Sequence, residues 1–329
     1  MTGPHPAVAA TRLAVRKALG AIAQTHPGGR VLVACSGGVD SLALADAVGF
    51  EAPKAGLSAG AVIVDHCLQH GSSAVAARAA EQCRGLSLDP VEIVTVRVAL
   101  SGSGPEAGAR DARYRALREV AQGVGAVAVL LGHTRDDQAE QVLLGLARGS
   151  GARSLSGMPA RRGPYVRPLL GLARATTVAA CEAAGLTAWV DPHNSDPAYG
   201  RVRARALLPL LEAELGPGTV AALARSADLL REDADALDQL AADARDAIGD
   251  GQVEAAGLLL LPRAVRTRVW RLLALEAGCP SGALVASHLE ALDTLVTGWR
   301  GQGPIDLPGH VQGRRSGGRV FVAATRPVE

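Results

Sequence analysis

A glycine-rich stretch carries the strongest signal in this sequence: Ser36-Gly37-Gly38-Val39-Asp40-Ser41. It follows the apolar run Arg30–Ala34, which has the composition of a strand buried on both faces, and it leads into a helical candidate at Ser41–Val48. Glycines let backbone N–H groups surround an anion because no Cβ stands in the way, and a helix N-terminus adds a positive dipole end. The stretch therefore predicts a phosphate-binding loop between a strand and a helix.

The predicted loop differs from an ordinary P-loop, whose pattern G-x-x-x-x-G-K-[ST] supplies a lysine to the terminal phosphates. No lysine stands in this loop, so the pattern favours a grip on a pyrophosphate that leaves over transfer of a γ-phosphoryl group. Ser36 and Ser41 would add hydroxyl donors, and Asp40 would help to arrange a metal ion. The structural alternative is a Gly-Ser turn with a capping serine.

Short apolar runs alternate with helical candidates as far as residue 147. The further runs that predict strands are Ala61–Asp65, Val91–Val98 and Ala126–Gly132. The segments that predict helices are Ser72–Cys83, Glu106–Ala121 and Asp136–Ala147. This alternation predicts an α/β fold with a parallel, doubly wound sheet, whose ligands bind beyond the carboxyl ends of the strands.

The pattern changes after Pro209. A long helix with an acidic outward face is predicted at Thr219–Ala247, and a second helix near Arg263–Ala277 carries four arginines that suit either a solvated face or an RNA contact. A closing hairpin is predicted from Ile305–Leu307 and Arg319–Ala323. We therefore predict a large α/β domain at 1–215, a helical linker at 216–247 and a small, mainly helical domain at 248–329.

Composition narrows the class of protein. The 329 residues carry a net charge of only +2, so any nucleic-acid surface must be a local patch. The five cysteines never form a C-x-x-C pair, which argues against a disulfide framework or a zinc site. The N-terminal residues do not have the pattern of a signal peptide, and no stretch has membrane-spanning length without charge or a breaker. We therefore expect a cytoplasmic protein with no membrane segment.

The loop pattern S-G-G-x-D-S after the first strand resembles the PP-loop of ATP-pyrophosphatases, which share an adenine nucleotide alpha-hydrolase-like fold. Members of that superfamily cleave ATP between the α and β phosphates and adenylate a substrate oxygen. Further stretches follow the successive predicted strands, and they are Asp65-His66, Arg110 with Arg113, His133 through Glu140, Trp189-Val190-Asp191, and Arg201 with Arg205. In this order, over roughly residues 30 to 215, they resemble the tRNA(Ile)-lysidine synthase family.

The small domain is similar, more loosely, to that family's tRNA-contacting domain, and the chain resembles the short form of the family. The stretches that carry this second likeness are Leu261-Pro262, Arg268, Arg271, His288-Leu289-Glu290 and Leu307-Pro308-Gly309. One position departs from the family pattern, because Val202 follows Arg201 where an asparagine is usual. One expected polar contact is therefore in doubt.

The resemblance implies a reaction and its partners. Lysine would be ligated to C2 of the wobble cytidine of an isoleucine tRNA with the CAU anticodon, through an adenylated cytidine, with release of AMP and pyrophosphate. The reaction would use ATP, Mg²⁺ and free L-lysine. A homodimer is left open as the assembly, because many members of the family are dimers.

The resemblance also assigns residues to roles. The predicted catalytic residues are Asp40, His133, Asp136, Asp137 and Arg205. The predicted nucleotide-binding residues are Ser36, Gly37, Gly38, Val39, Asp40, Ser41, Asp65 and His66. The predicted substrate-binding residues are Arg110, Arg113, Asp137, Glu140, Arg201 and Arg205. The predicted ligands of Mg²⁺ are Asp40 and Asp136.

Plainer interpretations remain open at each position. Asp136 and Asp137 would complement a helix dipole, His66 and His133 would be satisfied strand-end histidines, and Arg201 with Arg205 would form an exposed basic face. Three rival functions also stay open: a tRNA 2-thiolation enzyme, an amide-forming ATP-pyrophosphatase that acts on a small metabolite, and an ATP-binding sensor without chemistry.

Overall fold

A computed structural model describes residues 3–67, 71–96, 105–149, 151–191, 196–248 and 253–325. The chain divides into two compact units, Met1–Asp228 and Leu229–Glu329, and each is described by itself. The predicted domain boundaries at residues 215 and 247 stay predictions. The last two residues of the predicted strand Val91–Val98 lie outside the described residues.

The first unit begins with a helix and then alternates strands and helices as predicted. Its elements up to residue 147 are α1 (Pro6–Thr25), β1 (Arg30–Ala34), α2 (Val39–Glu51), a 3₁₀ turn (Pro53–Ala55), β2 (Ser58–Asp65), α3 (Ser72–Gly85), β3 (Val91–Thr95), α4 (Pro105–Gly123), β4 (Ala126–Leu131) and α5 (Arg135–Ala147). Those that follow are α6 (Ala152–Leu155), β5 (Arg161–Arg162), β6 (Tyr165–Val166), α7 (Arg174–Ala183) and α8 (Gly200–Leu215).

The strands of the first unit form one six-stranded sheet in the order β3-β2-β1-β4-β6-β5. All neighbours are parallel except the short edge pair β5 and β6. Helices cover both faces. One face packs on α1, α2, α3 and α7, and the other packs on α4, where Leu117 and Ala121 contact apolar side chains of the strands. The predicted parallel, doubly wound α/β fold is therefore confirmed.

Burial on both faces explains why the strands could be predicted. Each residue of β1 after Arg30 is buried, and consecutive residues such as Leu32 and Val33 belong to the cores on opposite faces. A strand of this kind has a continuous apolar run as its signature. In contrast, β5 and β6 have two residues each, too few to show any periodicity in the sequence. The helix that follows them, α7, is therefore not predicted as part of a strand–helix unit.

The second unit holds the end of α9 (Thr219–Ile248) and then mixes helices with an antiparallel sheet. Its further elements are β7 (Val253–Glu254), α10 (Ala255–Leu260), α11 (Arg263–Glu276), α12 (Ala286–Thr297), β8 (Ile305–Leu307), β9 (Val311–Ser316) and β10 (Arg319–Ala324). The sheet order is β7-β10-β9-β8. The predicted closing hairpin thus contains an additional strand, β9, between its two predicted arms. Two arginines and a glycine weakened the β signal of that strand.

Carboxylates engage three of the four arginines on α11. Arg263 pairs with Glu290, Arg266 pairs with Asp293, and Arg268 pairs with Asp238. The Arg266 pair is buried, and the indole N–H of Trp270 donates to the same carboxylate over 3.0 Å. Arg266 therefore stabilises the core of this unit rather than facing solvent.

Among the described helices, none alone is long and apolar enough to span a membrane. The bent pair α8 and α9 meets the length and composition test only when the two helices are taken together.

Candidate active site

The glycine-rich loop lies where the sequence predicts it, between β1 and the N-terminus of α2. Gly37 has a φ of 78°, a left-handed conformation that favours glycine, and a Cβ there would lie 3.3 Å from the Cβ of Ala79 on α3. The hydroxyl of Ser41 donates to the carbonyl of Gly38 over 2.8 Å and accepts from the N–H of Ser36 over 3.1 Å. The loop is therefore held by its own serines and by the packing of α3.

Gly132, directly after β4, lets this loop approach the neighbouring strand. A Cβ at that position would lie 3.0 Å from the carbonyl oxygen of Asp40 and 3.1 Å from the amide nitrogen of Ser41. Both contacts are with backbone, which cannot rotate away. The absence of a side chain at Gly132 thus lets the start of α2 pack against the end of β4.

A cavity of about 170 Å³ opens beside the loop at the carboxyl ends of β1 and β2. The side chains on its wall that could meet a nucleotide are Cys35, Ser36, Asp65, His66, Arg113, Trp189 and Asp191. The backbone N–H of Trp189 donates to the carbonyl of Gly37 over 2.9 Å, which holds that wall against the loop. The predicted nucleotide-binding residues Ser36, Asp65 and His66 are thus brought together with Arg113.

Two histidines near this cavity have buried ring nitrogens without partners. The Nδ1 atoms of His66 and His133 find no hydrogen-bond partner among the described residues. Burial, and then the nearby Arg113 guanidinium, lower the pKa of both side chains, that of His133 to about 3. Both rings are therefore neutral near pH 7. The interpretation of them as satisfied strand-end histidines does not match this geometry, because each ring retains an unused polar atom.

Asp137 serves as a cap for the helix that carries it. Its Oδ2 atom accepts hydrogen bonds from the N–H of Thr134 over 2.7 Å and from the Thr134 hydroxyl over 2.9 Å. Its Oδ1 atom is directed at arginines instead, at 3.2 Å from Arg174 and 3.8 Å from Arg205. One carboxylate therefore has both a capping role at the start of α5 and a position within a charged cluster.

Arg174, at the start of α7, lies at the centre of that cluster. Its Nη2 atom is 3.3 Å from Asp40 Oδ2 and 3.2 Å from Asp137 Oδ1. Its backbone N–H donates to Asp136 Oδ2 over 2.8 Å. The hydroxyl of Thr177, one turn later on α7, donates to Asp40. Sequence reasoning missed both residues, because the strand before α7 is too short to show where this strand–helix junction lies.

Glu140 and two arginines of α8 form the other end of the cluster. Arg205 pairs with the buried Glu140 through two contacts, Nε to Oε1 at 2.6 Å and Nη2 to Oε2 at 3.3 Å. Arg201, one turn earlier, lies 3.7 Å from Glu140 Oε2. The two arginines therefore face a buried carboxylate, and they do not form an exposed basic face.

The carboxylates of the cluster differ in their electrostatics. Burial raises the pKa of Asp40 and of Glu140, against the opposing effect of Arg174 on the first and Arg205 on the second. Burial also acts to raise the pKa of Asp137, but Arg174 and the Thr134 N–H outweigh it and leave that pKa below its usual value. Asp137 is therefore the carboxylate most firmly held in its charged form.

Two predicted roles find less support in the geometry. Arg110 is exposed, its guanidinium stacks 5.0 Å from the ring centre of Tyr114, and it does not line the cavity. No group of three or more His, Cys, Asp or Glu side chains in the described part of the chain could hold a metal by itself. Mg²⁺ usually takes only one or two protein carboxylates and completes its shell with phosphates and water, so the two predicted ligands, Asp40 and Asp136, would be enough for a metal that arrives with a nucleotide.

Comparisons with known proteins give the chain its relatives. The family model described as a PP-loop domain matches residues 11–211, and the model described as a TilS substrate binding domain matches residues 254–321. The tRNA(Ile)-lysidine synthase of Thermobifida fusca is 57% identical over 98% of this chain and 100% of its own length. The enzyme of the same name from Streptomyces coelicolor is 54% identical over 97% of this chain and 99% of its own.

A solved structure supports the fold independently. The U34-tRNA thiolase NcsA from Methanococcus maripaludis, described with its [4Fe-4S] cluster, aligns with a TM-score of 0.57 over 68% of this chain and 80% of its own. Its sequence identity of 19% limits that likeness to the fold. The near full-length likeness to the curated relatives goes further, and this chain belongs to the tRNA(Ile)-lysidine synthase family of PP-loop proteins.

Proposed function

We propose that this chain ligates lysine to C2 of the wobble cytidine of an isoleucine tRNA with the CAU anticodon, using ATP and releasing AMP and pyrophosphate. The observation that carries the proposal is the identity of 57% with a tRNA(Ile)-lysidine synthase over 98% of this chain. The family model of a PP-loop domain matches residues 11–211 of this chain, and that of a TilS substrate binding domain matches residues 254–321. The side chains of the described site would supply the groups that each step of such a reaction needs.

The first step adenylates the O2 atom of the cytidine. The loop N–H groups and the N-terminus of α2 would hold the phosphates of ATP, and the cavity of about 170 Å³ beside them would take the nucleoside. Neutral His66 and His133 each offer a buried ring nitrogen to a ligand. Holding the cytidine oxygen in line with the α-phosphate would supply much of the rate through positioning.

Mg²⁺ would be held by Asp40 and Asp136 together with the phosphates of ATP. The metal would neutralise negative charge on the phosphates while the cytidine oxygen bonds to the α-phosphorus and pyrophosphate leaves. The Arg174 guanidinium lies 3.3 Å from Asp40, and its backbone N–H donates to Asp136 over 2.8 Å, so the same residue holds both carboxylates.

In the second step the lysine ε-amino group displaces AMP. Lysine arrives as an ammonium ion, and it must lose a proton before it attacks. Asp137, held in its charged form, would bind the ammonium, and Glu140, whose pKa is raised by burial, would take the proton. Arg201 and Arg205 would contact the phosphate of the adenylated cytidine.

The rival functions are not favoured. A tRNA 2-thiolation enzyme is expected to carry C-x-x-C pairs, and this sequence contains none. The curated relatives that match nearly the whole chain are named as lysidine synthases, not as thiolases or small-molecule ligases. The proposal includes a cytoplasmic location and a homodimer as the assembly to be tested by light scattering.

The direct test incubates the protein with ATP, Mg²⁺, radiolabelled lysine and unmodified isoleucine tRNA bearing the CAU anticodon. Methionine tRNA with the same anticodon is the control. Label in the isoleucine tRNA alone is the expected result. Pyrophosphate release without label would overturn lysine as the nucleophile, and the absence of both signals from folded protein would overturn the enzymatic function.

A further inference from the structure

We infer that Arg174 is a positioning residue that sets the distance between the nucleotide half and the lysine half of the site. This inference rests on the proposed function and extends it to a residue outside the family motifs quoted above. Arg174 reaches the nucleotide half through Asp40 on α2 and Asp136 on α5, and it reaches the lysine half through Asp137 on α5. Its contacts therefore connect the two elements on which the two proposed substrates depend.

The geometry gives Arg174 three contacts on two elements. One guanidinium nitrogen, Nη2, lies 3.3 Å from Asp40 Oδ2 and 3.2 Å from Asp137 Oδ1, so it stands between the two carboxylates. The backbone N–H of the same residue binds Asp136 Oδ2 over 2.8 Å. Two like charges would otherwise repel each other across this gap, and the guanidinium replaces that repulsion with two attractions.

Arg174 is itself held in place from its own helix and from α5. Thr177 donates its hydroxyl to Asp40, which ties α7 to α2 one turn beyond Arg174. The N–H of Arg135 donates to the carbonyl of Leu172 over 2.9 Å, which ties the start of α5 to the segment before α7. The guanidinium therefore works from a fixed base, as a positioning group must.

Arginine suits this role better than lysine would. Its guanidinium remains charged at all relevant pH values, and its rigid planar group fixes the position of Nη2, the nitrogen that contacts both carboxylates, whereas an ammonium is a point charge on a flexible stem. The positive charge of Arg174 and the shape of its side chain can therefore be tested independently by substitution. Arg174→Lys keeps the charge and removes the rigid planar guanidinium, and Arg174→Gln removes the charge.

Four carboxylates from two elements act on Arg174, and they are Asp40 on α2 and Asp136, Asp137 and Glu140 on α5. Arg174 contacts both Asp40 and Asp137, while Arg205 reaches Asp137 at 3.8 Å and Glu140 at 2.6 Å. The two arginines therefore divide the cluster between them.

The experiment compares full-length Arg174→Gln, Arg174→Lys and Arg174→Ala with the wild type. The matched control is Arg12→Gln, because Arg12 pairs with Asp46 at 3.4 Å between α1 and α2 with similar exposure, away from the site. The measurements are the dissociation constant of ATP, kcat and KM for lysine in labelling of isoleucine tRNA, thermal unfolding, and kcat of Arg174→Ala with added guanidinium chloride at millimolar concentration.

We expect Arg174→Gln to lower kcat by about tenfold to a hundredfold, the range for a lost charged hydrogen bond, while the ATP dissociation constant changes by less than about threefold. Arg174→Lys should remain well below the wild type, millimolar guanidinium should raise kcat of Arg174→Ala, and Arg12→Gln should turn over normally. Because ATP is held mainly by the loop backbone, loss of positioning should appear in kcat.

Several results would overturn the inference. One is a kcat for Arg174→Gln within about threefold of the wild type, and others are full activity of Arg174→Lys or no increase in kcat of Arg174→Ala when guanidinium is added. A loss of kcat in Arg12→Gln as large as that in Arg174→Gln, together with a lowered unfolding temperature in both, would show that the effect is one of stability. If Arg174→Ala does not fold, Arg174→Lys and Arg174→Gln decide the question. A wild type that never labels tRNA would instead overturn the proposed function, so the two failures are distinguishable.

Discussion

Arg205 and Glu140 form a two-point ion pair between α8 and α5, with Nε 2.6 Å from Oε1 and Nη2 3.3 Å from Oε2. Glu140 is completely buried, so this arginine is the main counter-charge of a carboxylate that water cannot reach. A buried charge that loses its partner is costly, which makes the pair a sensitive point for both activity and folding.

Arg205→Ala is therefore expected to lower lysidine formation by about tenfold to a hundredfold. Removal of Arg205 raises the pKa of Glu140 further and leaves Arg201, at 3.7 Å, as its remaining cation. Labelling of isoleucine tRNA measures the effect. The control is Arg203→Ala on the same helix, because Arg203 is exposed and donates to the backbone carbonyls of Pro197 and Ala198. Equal activity of the two variants would remove Arg205 from the site.

Asp137→Asn separates the capping role of that residue from its charge. An asparagine side-chain oxygen can still accept from the Thr134 N–H, so the cap of α5 should survive and the melting temperature should stay close to that of the wild type. The negative charge toward Arg174 and lysine is lost, so we expect kcat/KM for lysine to fall by about a hundredfold or more. Asp137→Ala should lose the cap as well, at about 1 kcal/mol of stability. A fully active Asp137→Asn would show that the carboxylate is only a cap.

Gly132→Ala is expected to weaken ATP binding. The added Cβ would lie 3.0 Å from the carbonyl oxygen of Asp40, so the start of α2 would have to move away from β4. Overpacking of this kind costs about 1–3 kcal/mol, which corresponds to about fivefold to a hundredfold in the dissociation constant. Calorimetric titration with ATP measures it. Gly171→Ala is the control, because nothing lies within 4 Å of a Cβ at that position. Unchanged affinity in Gly132→Ala would mean that the loop tolerates the shift.

Acid should destabilise the second unit through Asp293. Burial acts to raise the pKa of Asp293, but hydrogen bonds from Arg266 and Trp270 outweigh it and leave that pKa lowered. A lowered carboxyl pKa contributes stability above the unfolded value, about 3.9, and that stability is lost as the pH falls through the folded value. Thermal unfolding measured between pH 7 and pH 2 should show this loss in the wild type.

Asp293→Asn should flatten that acid dependence. At pH 7 it should also cost about 3 kcal/mol or more, because Arg266 would lose its buried partner. The control is Glu290→Gln, since Glu290 pairs with Arg263 at an exposed position and should change the melting temperature little. A melting curve of Asp293→Asn that falls with acid as steeply as the wild type would contradict the assignment.

Local patterns in the sequence predict the sheet of the first unit. Runs such as Arg30–Ala34 and Ala126–Leu131 are buried on both faces, and burial of that kind leaves a continuous apolar signature in the chain. The glycine-rich loop is predictable for a similar reason, since a backbone that must approach an anion and a neighbouring helix excludes side chains locally. These features are set by neighbours in sequence, and the positions of Asp65, His66 and His133 at strand ends follow from them.

The sequence by itself therefore determined the parallel α/β fold, the phosphate loop and the family. Tertiary structure alone decided which charges meet. Asp40 and Thr177 are 137 positions apart in the chain, and their contact, like that of Asp40 with Arg174, depends on the position of α7, which follows a two-residue strand too short to be recognised in the sequence. Apolar periodicity records which side of an element is buried, but it carries no information about which element packs opposite. Ion pairs such as Arg205 with Glu140 arise only when separate elements pack together, and their energies depend on burial that the completed fold creates.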